Sequence, residues 1–590
     1  MIQSVLYHLL RTLPLVVLLG GCKPSSNEPG SPSPDTSPGT IAEAKAGSAD
    51  RIFLGDHILT LDAGYPEATA VAIAGDKIVW VGAREAAGSW QTDSTVVTEL
   101  GEHALLPGFI DAHGHLSFTA QTINFANVAS PPVGSVGTIR SLQNVLSSYI
   151  REKESSHDIQ PGDWVIGMGY DDSLLEERRH PNRDDLDAVS RDYPIALIHV
   201  SGHLAAVNSR GLEKIGINSE TADPEGGLIR RRPGSREPDG VLEETAAGPI
   251  QAYVFSPGKN AAEDMQKALA TYASYGITTV QDGASSLAMY QMLKDLSTEN
   301  PFELDVVVYP LAMEEAFQLP TGADTRSYSN RIKLGGIKLV LDGSPQGKTA
   351  YLSEPYLIPP EGKNSDYRGY PTLDQNTVNK RVAKFLSEKV QILAHANGDA
   401  AADMLIKAVA QAAQKQPLGD HRTVMIHAQT VREDQLDQMQ KLGIIPSYFS
   451  AHTYYWGDWH RDSVLGEIRA SRISPTRSTL DRDMPFTIHN DTPIVPPDML
   501  RLIWATVNRI TRSGRILGEA QRIPTIDAIR ATTTNAAYQY FEENSKGTLS
   551  PGKLADLVIL SNDPTTVDPG SLLDIEVVET LSHGISVFQK

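Results

Sequence analysis

The chain reads as an α/β protein built on a (β/α)8 TIM barrel, with a large insertion after the first barrel strand and a small β-sandwich assembled from both termini. Three observations predict this. Short buried-type β-branched runs alternate with helical patterns through the middle of the chain, both ends are strand-rich with turns between, and several of the middle runs finish on histidine, lysine or aspartate.

The first residues are set apart from the fold. Arg11 precedes the apolar run Leu13–Leu19, which is too short to span a bilayer and reads as a signal-peptide core. Leu19-Gly20-Gly21-Cys22 closes it in the manner of a bacterial lipobox. Residues 1–21 are therefore expected to be a lipoprotein signal peptide and Cys22 the lipidated N-terminus. Lys23 in place of an acidic residue suggests, by likeness to known lipoproteins, the outer membrane, so the expected location is the periplasmic face of a bacterial cell envelope, held by lipid alone. Residues 22–49 are Ser- and Pro-rich and read as a flexible tether.

Cys22 is the single cysteine, so no internal disulfide and no thiolate zinc site can form, and any metal has to use His, Asp, Glu or Lys-derived ligands. The formal charge of -20 argues against nucleic acid and against a basic membrane-binding face.

Ile52–Leu61 and Ala70–Val81 are strand-like, with a hairpin turn at Ala74-Gly75-Asp76-Lys77; Leu557–Leu560 and Val577–Phe588 repeat the texture at the other end. Residues 50–104 and 546–590 are expected to form one composite sandwich around a barrel of 105–545. Eight barrel strands are expected: Leu105–Ile110, Ile277–Val280, Leu304–Tyr309, Ile337–Leu341, Val390–Ala394, Thr423–Ile426, Ile444–Ser447 and Phe486–Ile488. Ala261–Tyr275, Thr377–Glu388, Ala400–Ala413 and Glu433–Leu442 carry helical periodicity between them. The interval after the first strand is too long for a loop and has its own strand runs at Trp164–Gly167 and Pro194–Val200, so 117–260 is expected to be an inserted lid domain.

His113 and His115 follow the first run at i, i+2, which on a strand points both imidazoles to one side, as a borderline metal such as zinc requires. Lys338, His395, His427 and Asp491 lie on or just after later strands, and C-terminal strand ends of a barrel meet at one mouth. The order His-x-His, Lys, His, His, Asp resembles the amidohydrolase superfamily, and within it the branch called amidohydrolase family 3, or YtcJ-like. Further matches are Gly202-His203-Leu204-Ala205-Ala206-Val207-Asn208-Ser209, Leu341-Asp342-Gly343-Ser344 and Pro551-Gly552-Lys553-Leu554-Ala555-Asp556-Leu557, so the resemblance runs from about Ile52 to the end.

That resemblance implies one or two divalent metal ions, zinc foremost. His113 and His115 would hold the deeper one and His395 and His427 a second; Lys338 would be N-carboxylated and bridge them, and Asp491 would bind metal and carry the proton. His427 is also a candidate to stabilise the oxyanion. Substrate contacts are expected from the lid segment 164–172, including Asp171, from His203, from Ser344–Thr349, and from His452 and Trp456 in the aromatic segment after strand seven. The reaction implied is metal-dependent hydrolysis of carbon–nitrogen bonds in a small molecule: a non-peptide amide, cyclic amide, carbamate or N-formyl compound. Ester or lactone hydrolysis, deamination, isomerisation and a non-catalytic surface-binding lipoprotein are the alternatives, and a homodimer is the default assembly.

Overall fold

Strand pairing sorts the described chain into five sheets. The computed structural model describes residues 47–590 apart from 225–226, 255–259 and 361; Cys22, the expected signal peptide and nearly all of the expected tether lie outside the described residues. No helix among the described residues is long and apolar enough to cross a membrane.

Two sheets are parallel, and the strand ends that carry the histidines, Lys338 and Asp491 belong to them. One runs in the order Ile332–Leu334, Asp305–Pro310, Ile277–Ser285, Phe109–Ile110; the other Ile337–Val340, Ile392–Ala396, Val424–His427, Ile445–Tyr448, Thr487–Ile488. Helices Ala261–Ser274, Leu287–Glu299, Gln375–Ser387, Asp399–Lys415 and Glu433–Leu442 connect successive strands. Each helix packs an apolar stripe onto the strands: Val378, Val382, Phe385 and Leu386 of Gln375–Ser387 are all buried. Asp374 caps that helix, its carboxylate accepting from the amides of Asn376 and Thr377.

The strand inventory differs from the expected eight in two places. Residues Leu105–Pro107 pair antiparallel with Leu557–Ile559 in the terminal sheet, and only Phe109–Ile110 joins the parallel one. An unexpected strand, Ile332–Leu334, precedes Ile337–Val340 and is divided from it by Gly335-Gly336. Both glycines are obligatory: a Cβ on Gly335 would enter the Tyr309 ring, and one on Gly336 the Gln391 carbonyl. The parallel ladder consequently breaks into two arcs. A single bridge, Leu311 to Lys338, joins them on one side; on the other, Asp491 N–H donates to the His113 carbonyl at 3.3 Å and His115 N–H to the Thr492 carbonyl at 2.8 Å.

The terminal sheets run Lys77–Gly82, Ala70–Ala74, Arg51–Leu54, Val96–Glu99 and Ile585–Gln589, Val577–Ser582, Leu557–Leu560, Ala104–Pro107. They share one apolar cluster, with Phe53, Val71 and Ile78 from the first and Leu105, Leu557 and Leu581 from the second. Gly75 turns the first hairpin at φ +56, a conformation open to glycine. Residues 126–244 form a six-stranded mixed sheet, with Ala126–Asn127, Val165–Tyr170 and Ile195–His199 parallel and Leu204–Val207, Pro238–Glu244 and Gly227–Arg231 added antiparallel. Leu204 and its neighbours bring Ser201 and His203, just before that strand, to the mouth of the parallel arcs, where they line the cavity described next.

Candidate metal centre and substrate cavity

His113 and His115 leave the Phe109–Ile110 strand two residues apart, and an oxygen meets Nδ1 of each. His113 Nδ1 donates to Gln281 Oε1 at 2.5 Å, and His115 Nδ1 to the Gly283 carbonyl at 2.6 Å. Gln281 cannot be turned round, because its Nε2 donates to the Ala112 carbonyl at 2.9 Å and to Tyr540 Oη at 2.6 Å. The imidazole protons therefore sit on Nδ1, and both Nε2 atoms face inward. They lie 3.3 and 3.1 Å from Asp491 Oδ1, and Lys338 Nζ lies 3.0 Å from His113 Nε2.

The remaining ligand-type groups come from the second arc. His427 (φ 71) and Asp491 (φ 57) both adopt the left-handed backbone that side chains other than glycine rarely take, so the surrounding packing imposes their direction. His427 Nδ1 is 3.2 Å from His489 Nε2, and His489 Nδ1 is 2.9 Å from Ser447 Oγ. His395 Nδ1 meets Asp342 Oδ1 at 3.2 Å, while its Nε2 is 3.2 Å from Asn397 Nδ2. Ligand atoms of His113, His427 and Asp491 all lie within 4.8 Å of one another. His395 packs edge-on against His427 at 4.4 Å between ring centroids, but its Nε2 is engaged by the Asn397 amide.

The electrostatics suit a cation. Burial, reinforced by Lys338, holds His113 well below the ordinary histidine range, and burial with His395 does the same for His427, so both are neutral and able to ligate. Burial opposes ionisation of Asp491, yet the His115 hydrogen bond overrides it and keeps the carboxylate charged. Burial likewise works against a charged His115, and the Asp491 hydrogen bond more than offsets it. Lys338 is pushed down to about 7 by burial, with Asp491 pulling the other way. Imidazole nitrogens and a carboxylate converging in a buried site are a donor set that fits a divalent metal ion.

These groups line a cavity of about 760 Å³, together with His203 and His452. His203 Nδ1 is 3.0 Å from Glu244 Oε2, and His452 Nδ1 is 2.9 Å from His460 Nε2. Asp171 and Trp456 do not line it; Trp456 Nε1 donates to Asp171 Oδ2 at 2.8 Å, and this buried pair satisfies both groups. Two other acid–histidine groups occur among the described residues, Asp171-Asp172-His199 and Asp305-Asp556-His583. In the latter, Lys546 Nζ at 2.6 Å from Asp305 already supplies a cation. Gln281 and Asp282 were not expected at the site; they extend the second strand beyond Val280, where the rule used for the other strand ends would have found them.

Two predictions arise from these contacts. Gln281→Leu removes the acceptor that fixes the His113 tautomer, and metal affinity should fall about 10–100-fold in competition with a chromophoric chelator; unchanged affinity would contradict the tautomer argument. His460 is fully enclosed, and burial pushes it down to about 3. Above pH 6.5 it is neutral folded or unfolded; below that, only the unfolded chain takes the proton, so stability is lost as pH falls from about 6.5 toward 3. At pH 5 the loss is about 2 kcal/mol. Thermal melts of metal-free protein at pH 7 and 5 should show a larger drop for the wild type than for His460→Asn, and equal drops would refute the assignment.

A profile of the amidohydrolase family matches residues 97–588. The N-substituted formamide deformylase of Arthrobacter pascens is 26% identical over 558 residues, covering 92% of this chain and 98% of that protein. The YtcJ protein of Bacillus subtilis (strain 168) is 26% identical over 522 residues, covering 86% and 92%. Among solved structures, an uncharacterized metal-dependent hydrolase from Pyrococcus horikoshii OT3 superposes with a TM-score of 0.67 at 21% identity, covering 88% of this chain and 99% of that one, a likeness of fold.

Proposed function

The chain belongs to the amidohydrolase family, and on that footing we propose that it is a metal-dependent hydrolase of non-peptide carbon–nitrogen bonds, with N-formyl and other N-acyl amines as its first candidate substrates. The observation that carries this reading is the convergence of His113, His427 and Asp491 atoms within 4.8 Å, beside Lys338, in the wall of a cavity of about 760 Å³. The kinship with a protein named for deformylating N-substituted formamides supports the formyl case.

His113, His115, His427 and Asp491 would hold one divalent ion, zinc foremost; an N-carboxylated Lys338 would contribute to a second, which His395 would join by exchanging its Asn397 amide contact for the metal. Lys338 suits that modification, since a lysine lowered to about 7 is largely uncharged at mildly alkaline pH, the form that captures carbon dioxide. A bound ion supplies Lewis acidity, polarising the substrate carbonyl and acidifying water.

The protein's own part is acid–base and positional. Asp491, kept ionised among imidazoles, would take the proton of the attacking water and return it to the leaving nitrogen, which cannot depart from an amide unprotonated. Gln281 and Gly283 would keep the Nε2 atoms of His113 and His115 aimed, and His489 would do so for His427.

In the same reading, the two parallel arcs constitute one (β/α)8-type barrel within residues 105–545, with 117–260 a lid and 50–104 plus 546–590 a supporting sandwich. The mature protein would be tethered to the cell envelope through Cys22. The test is a hydrolysis screen of N-formyl, N-acyl and cyclic amides on zinc- and manganese-loaded protein. Turnover of at least one amide class is expected; turnover of esters or lactones alone would overturn the carbon–nitrogen assignment.

A further inference from the structure

The six-stranded sheet of residues 126–244 puts one titratable side chain into the cavity. His203 precedes the Leu204–Val207 strand, and its backbone is held at both ends: its N–H donates to Ser201 Oγ at 3.3 Å, and its carbonyl accepts from the Glu244 N–H at 2.9 Å. The side chain is 28% exposed and shares the cavity wall with His113, His395 and Asp491, so a molecule in that cavity reaches it.

Glu244 stands behind it. Its Oε2 lies 3.0 Å from His203 Nδ1, and Glu244 itself does not line the cavity. A carboxylate only accepts hydrogen bonds, so Nδ1 carries a proton and donates it. No other basic group among the described residues lies within ion-pair distance of this carboxylate. The Glu244 backbone takes φ +50, a conformation that residues other than glycine rarely adopt, so the surrounding packing imposes its direction. The opposite ring nitrogen, His203 Nε2, has no hydrogen-bond partner among the described residues.

Whether Nε2 can donate is decided by charge. Burial works against an imidazolium, but the charge and the hydrogen bond of Glu244, helped by Asp342 and Asp491, more than offset it, and His203 holds its proton more tightly than an ordinary histidine. The neighbouring His395 is kept below the ordinary histidine range, chiefly by burial, and adds no competing charge. Lys338, the other basic donor in the lining, already faces His113 Nε2 at 3.0 Å.

The chemistry of the substrate decides what a donor there meets. An amide with a hydrocarbon N-substituent offers one acceptor, its carbonyl oxygen, because the nitrogen lone pair is delocalised into the carbonyl. That oxygen also gains negative charge as the tetrahedral intermediate forms, whereas the leaving nitrogen takes its proton from Asp491 and needs no second donor. The geometry points to His203 as a catalytic residue supplied from outside the parallel arcs: its Nε2–H hydrogen-bonds the carbonyl oxygen of the scissile amide and stabilises the charge that forms on it, and Glu244 is the residue that positions it. This deepens the carbon–nitrogen hydrolase reading and rests on it. A formyl group meets the requirement as well as a larger acyl group does, since the contact is to the oxygen alone.

The test pairs N-benzylformamide with N-benzylthioformamide, whose sulfur accepts hydrogen bonds weakly, on metal-loaded wild type, His203→Ala, His203→Gln and Glu244→Gln. If another amide class is the better substrate of the wild type, that amide and its thioamide take their place. Melting curves and metal content verify that each variant is folded and loaded. In His203→Ala, kcat on the amide should fall about 10²-fold with KM within about threefold of wild type. The amide-to-thioamide ratio of kcat/KM should fall about tenfold in both His203→Ala and Glu244→Gln. His203→Gln, which keeps an N–H donor at similar reach, should recover part of that ratio. A second readout needs no turnover: by NMR of isotope-labelled histidine in metal-free protein at pH 6, both ring nitrogens of His203 should be protonated in the wild type and only one in Glu244→Gln. An unchanged ratio in both His203→Ala and Glu244→Gln, or a neutral His203 in the wild type, overturns the role of His203 and leaves the hydrolase reading intact. A wild type inactive on every amide overturns both.

Discussion

Asp491→Asn is expected to lower kcat by about 10³-fold while the protein stays folded, the size of effect that follows loss of a positioned proton carrier. Asparagine preserves the shape of the side chain and an oxygen toward the imidazoles, but it cannot hold a proton. The aspartate is surrounded: its Oδ1 is 3.1 Å from His115 Nε2 and 3.3 Å from His113 Nε2, and the His115 hydrogen bond keeps it charged against the pull of burial. The variant should also release His115, whose elevated affinity for a proton depends on the Asp491 hydrogen bond. Metal content is measured alongside the rate, since His113 and His427 remain to bind. Activity within tenfold of wild type would remove Asp491 from the proton path.

His113→Ala should abolish both metal retention and hydrolysis. The side chain is 1% exposed, and its Nε2 stands between Lys338 Nζ at 3.0 Å and Asp491 Oδ1 at 3.3 Å, a position no other residue can supply. Alanine leaves Gln281 Oε1 without its donor and opens a polar void, so a loss of stability of about 1–3 kcal/mol accompanies the loss of function. His113→Asn, which refills part of the space, separates the two effects: it should recover stability more than metal. Elemental analysis after dialysis is the readout. Wild-type metal stoichiometry in His113→Ala would place the ion elsewhere.

Much of the site was legible because buried strands announce themselves by composition and end abruptly. His395 and His427 fall on the last residues of runs with almost no polar content, and His113 and Asp491 just beyond, so the topology that gathers strand ends also gathers them. Gln281 and Asp282 escaped because Gln-Asp-Gly after Ile-Thr-Thr-Val reads as a turn, whereas the strand continues to Ser285. The split at Gly335-Gly336 was hidden for a similar reason: what forbids a side chain there is Tyr309 and the Gln391 carbonyl, which are remote in sequence. Trp456 and Asp171 looked like recognition groups at a mouth; their mutual hydrogen bond is a pairing across 285 residues that composition cannot reveal. Leu105–Pro107 shows the limit of continuity, since Pro107-Gly108 lets one apolar run serve two sheets.

The central claim is that hydrolysis depends on a divalent ion held by His113, His427 and Asp491. Metal-stripped protein is titrated with zinc or manganese while hydrolysis of an N-substituted formamide is followed. The stripped protein should show a negligible rate, a rise that saturates at about one or two equivalents, and a flat response for Asp491→Asn. Full hydrolysis by stripped protein, indifferent to added metal and to chelator, would contradict it.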